Sequence, residues 1–169
     1  MFKDTLRNMN LYVNGTGYAG VIDELTLPKL TVKTAEYRGG GMDAPVEVDM
    51  GMEKMEASFT LSKFDKGVIT SFGLKAGNNI PLVIRGSILS EQDGSETPVV
   101  VILQGIVKEM DFGTWKAGEA TTVKVTLPVR YYSLIIDDEE LHRVDIANMT
   151  RIINGVDQLE TTRKNIGFA

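Results

Sequence analysis

The sequence predicts a mainly β protein, a β sandwich or open barrel that carries one or two short helices. Three observations lead to this fold class. Residues 46–61 and 120–129 alternate between apolar and polar side chains with a period of two, which is typical of strands. The pair Asn14-Gly15 separates two short apolar runs, as a hairpin turn does. Segments with helical spacing are few and short, so helices are expected only at the margins of a sheet.

Residues 1–169 are expected to form a single domain, because a chain of 169 residues can bury one sizeable core. Residues 1–9 show no clear period, and we predict that they form an arm that orders against a partner. Residues 65–74 have helical spacing and predict one short helix. Residues 153–169 predict a helical C-terminal tail whose helix starts at Asp157.

The segment 36–61 is the most strongly patterned part of the chain. Three glycines and a proline precede a strand in which Val46, Val48 and Met50 point to one side. Carboxylates occupy the other side. After Lys54 the alternation reverses, and a shift of one residue turns every side chain to the opposite face. The sequence therefore predicts a bulge or a turn at Glu53-Lys54.

Composition and charge exclude several classes of protein. Eighteen Lys and Arg stand against 23 Asp and Glu, a formal net charge of −5, which disfavours a domain that holds nucleic acid by its phosphates. There is no cysteine and hence no disulfide framework or thiolate metal site. No segment predicts a signal peptide or a membrane span, so we expect a protein that is soluble in the cytoplasm when it is made and does not insert into membranes.

We find no motif for catalysis, a cofactor or a metal ion. His142 is the only histidine, and without cysteine most base-assisted nucleophile schemes are excluded. The glycines at 39–41 lack the lysine and hydroxyl of a phosphate-binding loop. The acidic run 137–140 does not have the spacing of an EF-hand and predicts a hydrated turn. A catalytic pair of carboxylates, as in a small hydrolase, is left open as an alternative.

Seven motifs connect the chain with a known family, and they run through nearly its whole length in order. They are LTLPKL at 25–30, EYRGGGMDAPVEVDMGMEKMEASF at 36–59, FGL at 72–74, RGS at 85–87, DFGTWKAGE at 111–119, YYSL at 131–134 and INGVDQL at 153–159. Together they closely resemble the major tail tube protein of contractile-tailed phages, a family that R-type bacteriocins such as pyocins also use. Residues 64–71 and 91–97 carry no match.

This resemblance implies a structural protein of the virion tail, assembled in the bacterial cytoplasm, and no enzyme. It implies hexameric rings in which inner strands of all subunits join into one β barrel, and rings that stack into a tube. Other copies, sheath, baseplate or spike, tape-measure and terminator proteins would be the partners. Phage DNA would pass through the lumen without specific binding. A headless R-type bacteriocin or a related injection system remains an alternative.

Two sets of site residues follow from joining the resemblance to the pattern. An acidic lumen repels phosphate, so we expect carboxylates to face it, and the candidates are Glu47, Asp49, Glu53 and Glu56. Glycines permit two backbones to approach closely, so we expect the loop before the acidic strand to contact a second subunit. Its residues are Tyr37, Arg38, Gly39, Gly40, Gly41, Met42 and Asp43.

Overall fold

The structure is a computed structural model that describes residues 1–73 and 75–168. The elements are numbered in chain order. The first half contains β1 (Asp4–Val13), β2 (Thr16–Gly17), β3 (Ile22–Thr26), β4 (Val32–Tyr37), β5 (Val46–Met52), β6 (Met55–Leu61) and α1 (Lys66–Ile69). The second half contains β7 (Ile80–Ser90), β8 (Glu96–Gly105), β9 (Glu109–Asp111), β10 (Val123–Ile136), β11 (Glu139–Asp145), β12 (Thr150–Ile153), β13 (Val156–Asp157) and α2 (Glu160–Asn165).

The long strand β10 organises the main sheet by belonging to both of its parts. Its first half pairs with β6 and β9, and its second half pairs with β8 and β11. The strands β3 and β6 extend the first part. The second part runs in the order β13-β12-β11-β10-β8-β7-β1-β2. The mainly β architecture with two short helices confirms the predicted fold class.

The hydrophobic core lies between these two parts. Alternate residues of β6, Met55, Ala57, Phe59 and Leu61, are buried, as the reversed phase of this stretch predicted. They belong to one cluster with buried residues of the second part, such as Leu103. Facing apolar surfaces of two packed sheets are what holds a sandwich together, because each removes the other from water.

The predicted break at Glu53-Lys54 is confirmed, since β5 ends at Met52 and β6 starts at Met55. The two strands belong to different sheets: among the described residues β5 pairs with β4 alone, whereas β6 pairs with β3 and β10. The change of phase in the sequence therefore marks the point at which the chain leaves a separate hairpin and enters the main sheet.

The N-terminal segment was wrongly predicted to be an arm. Residues from Asp4 onward form β1, which pairs with β7 along its whole length. The register shifts between Leu6 and Asn8, so a bulge interrupts the alternation. That bulge explains why the sequence shows no clear period there.

The C-terminal tail is less helical than predicted. Ile153 ends β12, and Asn154 and Gly155 have φ angles of 51° and 78°. Two residues in this left-handed region make the tight hairpin turn that Asn-Gly favours, and the turn leads into β13. The helix α2 starts at Glu160 instead of Asp157. The side chain of Asp157 accepts a hydrogen bond from the Leu159 amide at 3.1 Å, before the helix begins.

The first helix begins where it was predicted and is shorter. Asp65 is its N-cap and accepts a hydrogen bond from the Val68 amide at 3.2 Å. It ends at Ile69, and the predicted end at Leu74, like the final residue Ala169, lies outside the described residues. No helix in the described ranges is long and apolar enough to cross a membrane.

The strand β8 is covered on one face only. Val101 and Leu103 are buried in the core, whereas Val100 and Ile102 are only partly buried. Successive side chains of a strand point to opposite faces, and no second layer of the described chain covers the outer face.

Candidate subunit interface

The strands β4 and β5 form a two-stranded antiparallel ribbon outside the main sheet. Every residue of β4 is exposed, and so is every residue of β5 except Met52. An isolated two-stranded hairpin is marginally stable in water, because it has no layer on which to bury an apolar face. The ribbon is therefore the part of this fold that most lacks a packing partner.

The two faces of the ribbon differ in chemistry. The pairs Tyr37↔Val46 and Ala35↔Val48 put apolar side chains on one face, and Met50 continues that row. Tyr37 is 60% exposed, Val46 48% and Met50 59%. Contiguous exposed apolar side chains on a soluble subunit commonly mark a contact with another protein.

The opposite face is acidic. Glu36 lies directly opposite Glu47, and Thr34 lies opposite Asp49. The Thr34 hydroxyl donates to the Glu47 carboxylate at 3.2 Å, which places both on this face. Like charges directly opposite each other destabilise a strand pair, so the Glu36–Glu47 pair has an unfavourable repulsion within the free subunit.

A compact turn joins the two strands at the tip of the ribbon. The Met42 amide donates to the Gly39 carbonyl at 3.2 Å, and the Arg38 Nε donates to the Met42 carbonyl at 3.1 Å. Gly41 has a φ of +87°, a conformation that side chains with a Cβ rarely adopt. The glycines thus serve a turn, as the sequence indicated, and the tip is built from the predicted contact segment 37–43.

A salt bridge fixes the base of the ribbon to the body of the subunit. Arg151 of β12 donates to the Asp49 carboxylate at 2.6 Å, and the Arg151 side chain is only 11% exposed. The Gly51 amide also donates to Asp49, at 2.7 Å. These two donors, the amide first and the guanidinium second, lower the pKa of the Asp49 carboxyl below its ordinary value.

The other two predicted lumen carboxylates lie off the ribbon. Glu53 is exposed in the turn before β6. Glu56 is on the outer face of β6, where Lys108 is 2.9 Å away and Lys54 3.4 Å. The hydrogen bond from Lys108 lowers the pKa of Glu56. The structure thus brings Glu47 and Asp49 together on one face, and it separates Glu53 and Glu56 from them.

A cleft of about 670 Å³ opens between the base of the ribbon and the C-terminal elements. Its apolar lining comes from Met52 and Met55 on one side and from Val144, Ile146 and Leu159 on the other. Within the described residues, no group of three acidic or histidine side chains is arranged to hold a metal ion.

Comparison with known proteins assigns the family. A family model described as phage tail tube protein FII matches residues 3–167. The chain belongs to this family of phage tail tube proteins. The tail tube protein of Escherichia phage P2 is 38% identical over 166 residues, covering 96% of both chains. The major tail tube protein of Serratia phage KSP20 is 36% identical over 146 residues, covering 85% of this chain and 83% of the relative.

Solved structures share the fold of this tail tube protein. The sheath/tube terminator of an extracellular contractile injection system has a TM-score of 0.61 at 12% identity and covers 79% of this chain and 97% of the terminator. The tube-terminating cap of the anti-feeding prophage has a TM-score of 0.60 at 11% identity, over 79% and 91%. The predicted resemblance is confirmed: the chain is a structural subunit of a tail tube and a component of the virion tail.

Sequence reasoning missed two residues of this surface, Glu36 and Arg151. Glu36 joins the acidic face because the register sets it opposite Glu47. Because Glu36 directly follows Ala35 in a run of alternating residues, that alternation could have predicted that Glu36 lies on the acidic face. Arg151, the partner of Asp49, lies 102 residues away, and no local pattern could have indicated it. The exposure of Tyr37 on the apolar face depends on the absence of a covering layer, which only the fold reveals.

Proposed function

We propose that this tail tube subunit assembles through the β4–β5 ribbon into hexameric rings, and that the rings stack into a hollow tube. The observation that carries the proposal is a ribbon exposed on both faces, with an apolar row that no part of the described chain covers. Burial of that row between subunits would remove apolar surface from water, at about 25 cal/mol per Å². Negative-stain microscopy of the purified protein tests it: rings or rods of uniform bore are expected, and compact monomers at every concentration and salt would contradict it.

We propose further that the acidic face of the ribbon lines the lumen, through which phage DNA passes without being held. Glu47 supports this most directly, since it is exposed and forms no salt bridge with any described residue. Glu53 is likewise unpaired there, whereas Asp49 and Glu56 are partly neutralised by their cations. Negative charge repels phosphate and lowers friction at the wall. Cryo-EM of the tube tests the proposal, and a density map with Glu47 on the outer wall or in the core would end it.

The tip of the ribbon, residues 37–43, is proposed to cross a subunit boundary. A Cβ added at Gly40 would meet no atom within 4 Å in the free subunit, and Gly40 does not have a positive φ. Gly40→Val should therefore fold normally. If the tip packs against a neighbour, the added side chain will reduce polymerisation while the melting temperature of the monomer is unchanged. Normal polymerisation of Gly40→Val would contradict a close contact at this position.

The partners proposed for the tube are sheath, baseplate or spike, tape-measure and terminator proteins. Support comes from the structural neighbours, which belong to a sheath-tube complex, a baseplate and tube terminators of contractile injection systems.

We propose a purely structural role, without catalysis. A headless bacteriocin would use the same tube, and the presence of capsid genes beside the gene for this chain separates the two. A Glu47→Gln variant that lost a hydrolytic turnover but still assembled would instead favour the enzyme.

A further inference from the structure

The helix α2 is attached to the body of the subunit by a charged side chain instead of an apolar face. Five of its six residues are exposed, and the exception is Arg163. No residue of α2 belongs to the hydrophobic core. Surface helices are commonly fixed by an apolar stripe that faces the core, and α2 has no buried residue to form one. The attachment of α2 therefore depends on the contacts of Arg163.

Arg163 binds two segments that are separate in the sequence. Its guanidinium donates to the Met149 carbonyl at 2.9 Å and to the Asp157 carboxylate at 2.5 Å. Met149 is the last residue before β12, and Asp157 is the last residue of β13. The strands β12 and β13 pair as one hairpin. Arg163 therefore holds this hairpin at its beginning and at its end.

The hairpin of β12 and β13 carries Arg151, the partner of Asp49. Arg151 lies directly opposite Val144 of β11, which is buried, so both side chains point to the inner face of the sheet. The Gln158 amide, just after β13, donates to the Arg151 carbonyl at 2.8 Å. From this position the guanidinium reaches Asp49, and both residues line the cleft at the base of the ribbon. The position of the hairpin thus determines where Arg151 meets the ribbon.

The pair of Asp49 and Arg151 lies next to a bend in the ribbon. The register of the ribbon shifts between Val32 and Thr34, and Gly51 on the facing part of β5 has a φ of +96°. Such an irregularity is a bulge, which bends the strand. Asp49 lies just beyond the bend, opposite Thr34. Among the hydrogen bonds and ion pairs between described residues, the pair with Arg151 alone joins β4 or β5 to another element, so it fixes the angle of the ribbon.

The guanidinium of Arg151 has one charged partner within the described ranges, and that partner is Asp49. The Arg151 side chain is largely buried, and its Nε atom has no hydrogen-bond partner among those residues. Separating a largely buried cation from its carboxylate is costly, because the charge is then left with neither a partner nor full hydration. Arg151 should therefore keep Asp49, and with it the ribbon, in one place.

We infer that Arg163 and Arg151 are positioning residues that set the angle of the β4–β5 ribbon for assembly. Arg163 fixes the β12–β13 hairpin, and Arg151 on that hairpin fixes Asp49 just beyond the bend. This inference rests on the proposed assembly through the ribbon, and it names the residues of the C-terminal elements that control it. A two-stranded ribbon is marginally stable by itself, so holding it at one angle in the free subunit reduces the ordering that assembly requires.

The first experiment measures whether α2 acts on the ribbon at a distance. In the described chain Arg163 forms no hydrogen bond or ion pair with β4 or β5. Hydrogen exchange of monomeric Arg163→Ala should nevertheless show about twofold to fivefold less protection of the ribbon amides, the effect of losing one partly exposed ion pair, with β6 and β10 unchanged. Lys164→Ala is the matched control, because Lys164 pairs with Glu160 on the exposed side of α2, and its ribbon should stay protected. Unchanged ribbon protection in Arg163→Ala would overturn the inference.

A second experiment tests the route from α2 to the ribbon. Asp49→Asn removes the carboxylate on which Arg151 acts, so adding Arg163→Ala to that variant should lower ribbon protection no further. Residues that act through one contact are non-additive in this way, whereas independent sites add. If the two losses add in the double variant, Arg163 affects the ribbon by another route, and the inference is overturned. Arg163→Lys keeps the charge and should restore part of the protection, and a loss as large as that in Arg163→Ala would also count against the inference.

The protein concentration at which rings and tubes form, measured by sedimentation, connects the angle of the ribbon with assembly. Arg163→Ala should raise that concentration by at least the factor seen in hydrogen exchange, and Lys164→Ala should not change it. If the ribbon of Arg163→Ala is less protected but tubes form at the same concentration, its angle does not control assembly, and the inference fails. If the unmodified protein forms neither rings nor tubes, the proposed function is overturned, whereas the exchange comparison still decides whether Arg163 positions the ribbon.

Discussion

Gly105 shows how a single residue determines the path of the central strand. It ends β8 and lies opposite Val129 of β10, next to a register shift in that pairing. A Cβ at Gly105 would collide with the Pro128 carbonyl oxygen and lie 2.9 Å from the Leu127 Cδ1. The backbone of β10 cannot shift without disturbing other hydrogen bonds, because it pairs with strands in both parts of the sheet. The absence of a side chain at Gly105 thus permits the end of β8 to lie close to the backbone of β10.

We therefore predict that Gly105→Ala destabilises the subunit by about 1–3 kcal/mol, the typical cost of an added carbon in a packed interior. Urea unfolding of the monomer, followed by circular dichroism, measures this. Gly40→Ala is the control, since its new Cβ meets no atom within 4 Å, and we expect a change of no more than about 0.5 kcal/mol. Equal stability of the two variants would show that β10 adjusts without cost.

Tyr18 provides a test of stability at alkaline pH. Its side chain is buried and its hydroxyl donates to Asp65 at 2.9 Å. Burial, followed by the hydrogen bond to Asp65 and its negative charge, raises the pKa of Tyr18 from 10.0 to about 12. Because the folded-state pKa is the higher one, its contribution to stability is complete below pH 10 and is lost as the pH rises towards 12.

We predict that Tyr18→Phe unfolds with less dependence on pH between 10 and 12 than the unmodified protein does. Chemical denaturation at a series of pH values measures the slope. Tyr37→Phe serves as the matched control, since Tyr37 is exposed on the ribbon, and its slope should equal that of the unmodified protein. A slope for Tyr18→Phe equal to that of Tyr37→Phe would show that ionisation of Tyr18 is not linked to unfolding.

At the scale of elements, the ribbon is held at its base by one long-range ion pair. Asp49 has a folded-state pKa below its ordinary value of 3.8, because it bonds to the Gly51 amide and the Arg151 guanidinium. For a carboxylate with a lowered pKa, the stabilisation is present above the ordinary value and is lost as the pH falls through the folded-state pKa. The attachment of the ribbon should therefore weaken below about pH 4.

We predict that the β5 amides lose protection against hydrogen exchange as the pH falls through this range. Protection here is the observed exchange rate compared with the intrinsic rate at the same pH. In Asp49→Asn the protection of these amides is low already at neutral pH and does not fall further in acid. Glu47→Gln keeps the pH dependence of the unmodified protein, since Glu47 lies on the same face and has no salt bridge with any described residue. Identical profiles for Asp49→Asn and the unmodified protein would contradict the role of the Asp49–Arg151 pair.

The elements that the sequence predicted correctly are those with an uninterrupted local pattern. Residues 46–52 and 55–61 alternate without a break, and both are strands with the predicted change of phase between them. The errors have local physical causes. A bulge hid the period of β1, and the hairpin made by the Asn-Gly turn at 154–155 extends through Asp157, where the helix was predicted to start. Contacts between residues far apart in the sequence, such as Asp49 and Arg151, cannot be predicted from a local sequence pattern.

At the scale of the whole molecule, the core and the surface proposed for assembly are separate. The buried cluster draws on β1, β6, β7, β8, β10 and β11, and it includes no residue of β4. From β5 only Met52 packs against it, at the base of the ribbon. Because burial of apolar surface is the main source of stability, the body of the subunit should fold without the ribbon. A ribbon free of folding constraints can keep an exposed apolar face for another subunit.

We predict that replacing residues 34–49 with an Asn-Gly turn lowers the melting temperature of the monomer no more than Asp49→Asn does. Both changes leave Arg151 without its partner, and the deleted residues bury no part of the core. For a chain of this size a loss of 1 kcal/mol corresponds to about 2–4 °C, so differential scanning calorimetry at low protein concentration resolves the comparison. A fall well beyond that of Asp49→Asn would mean that the ribbon stabilises its own subunit, and its exposed apolar row would no longer require a second copy to explain it.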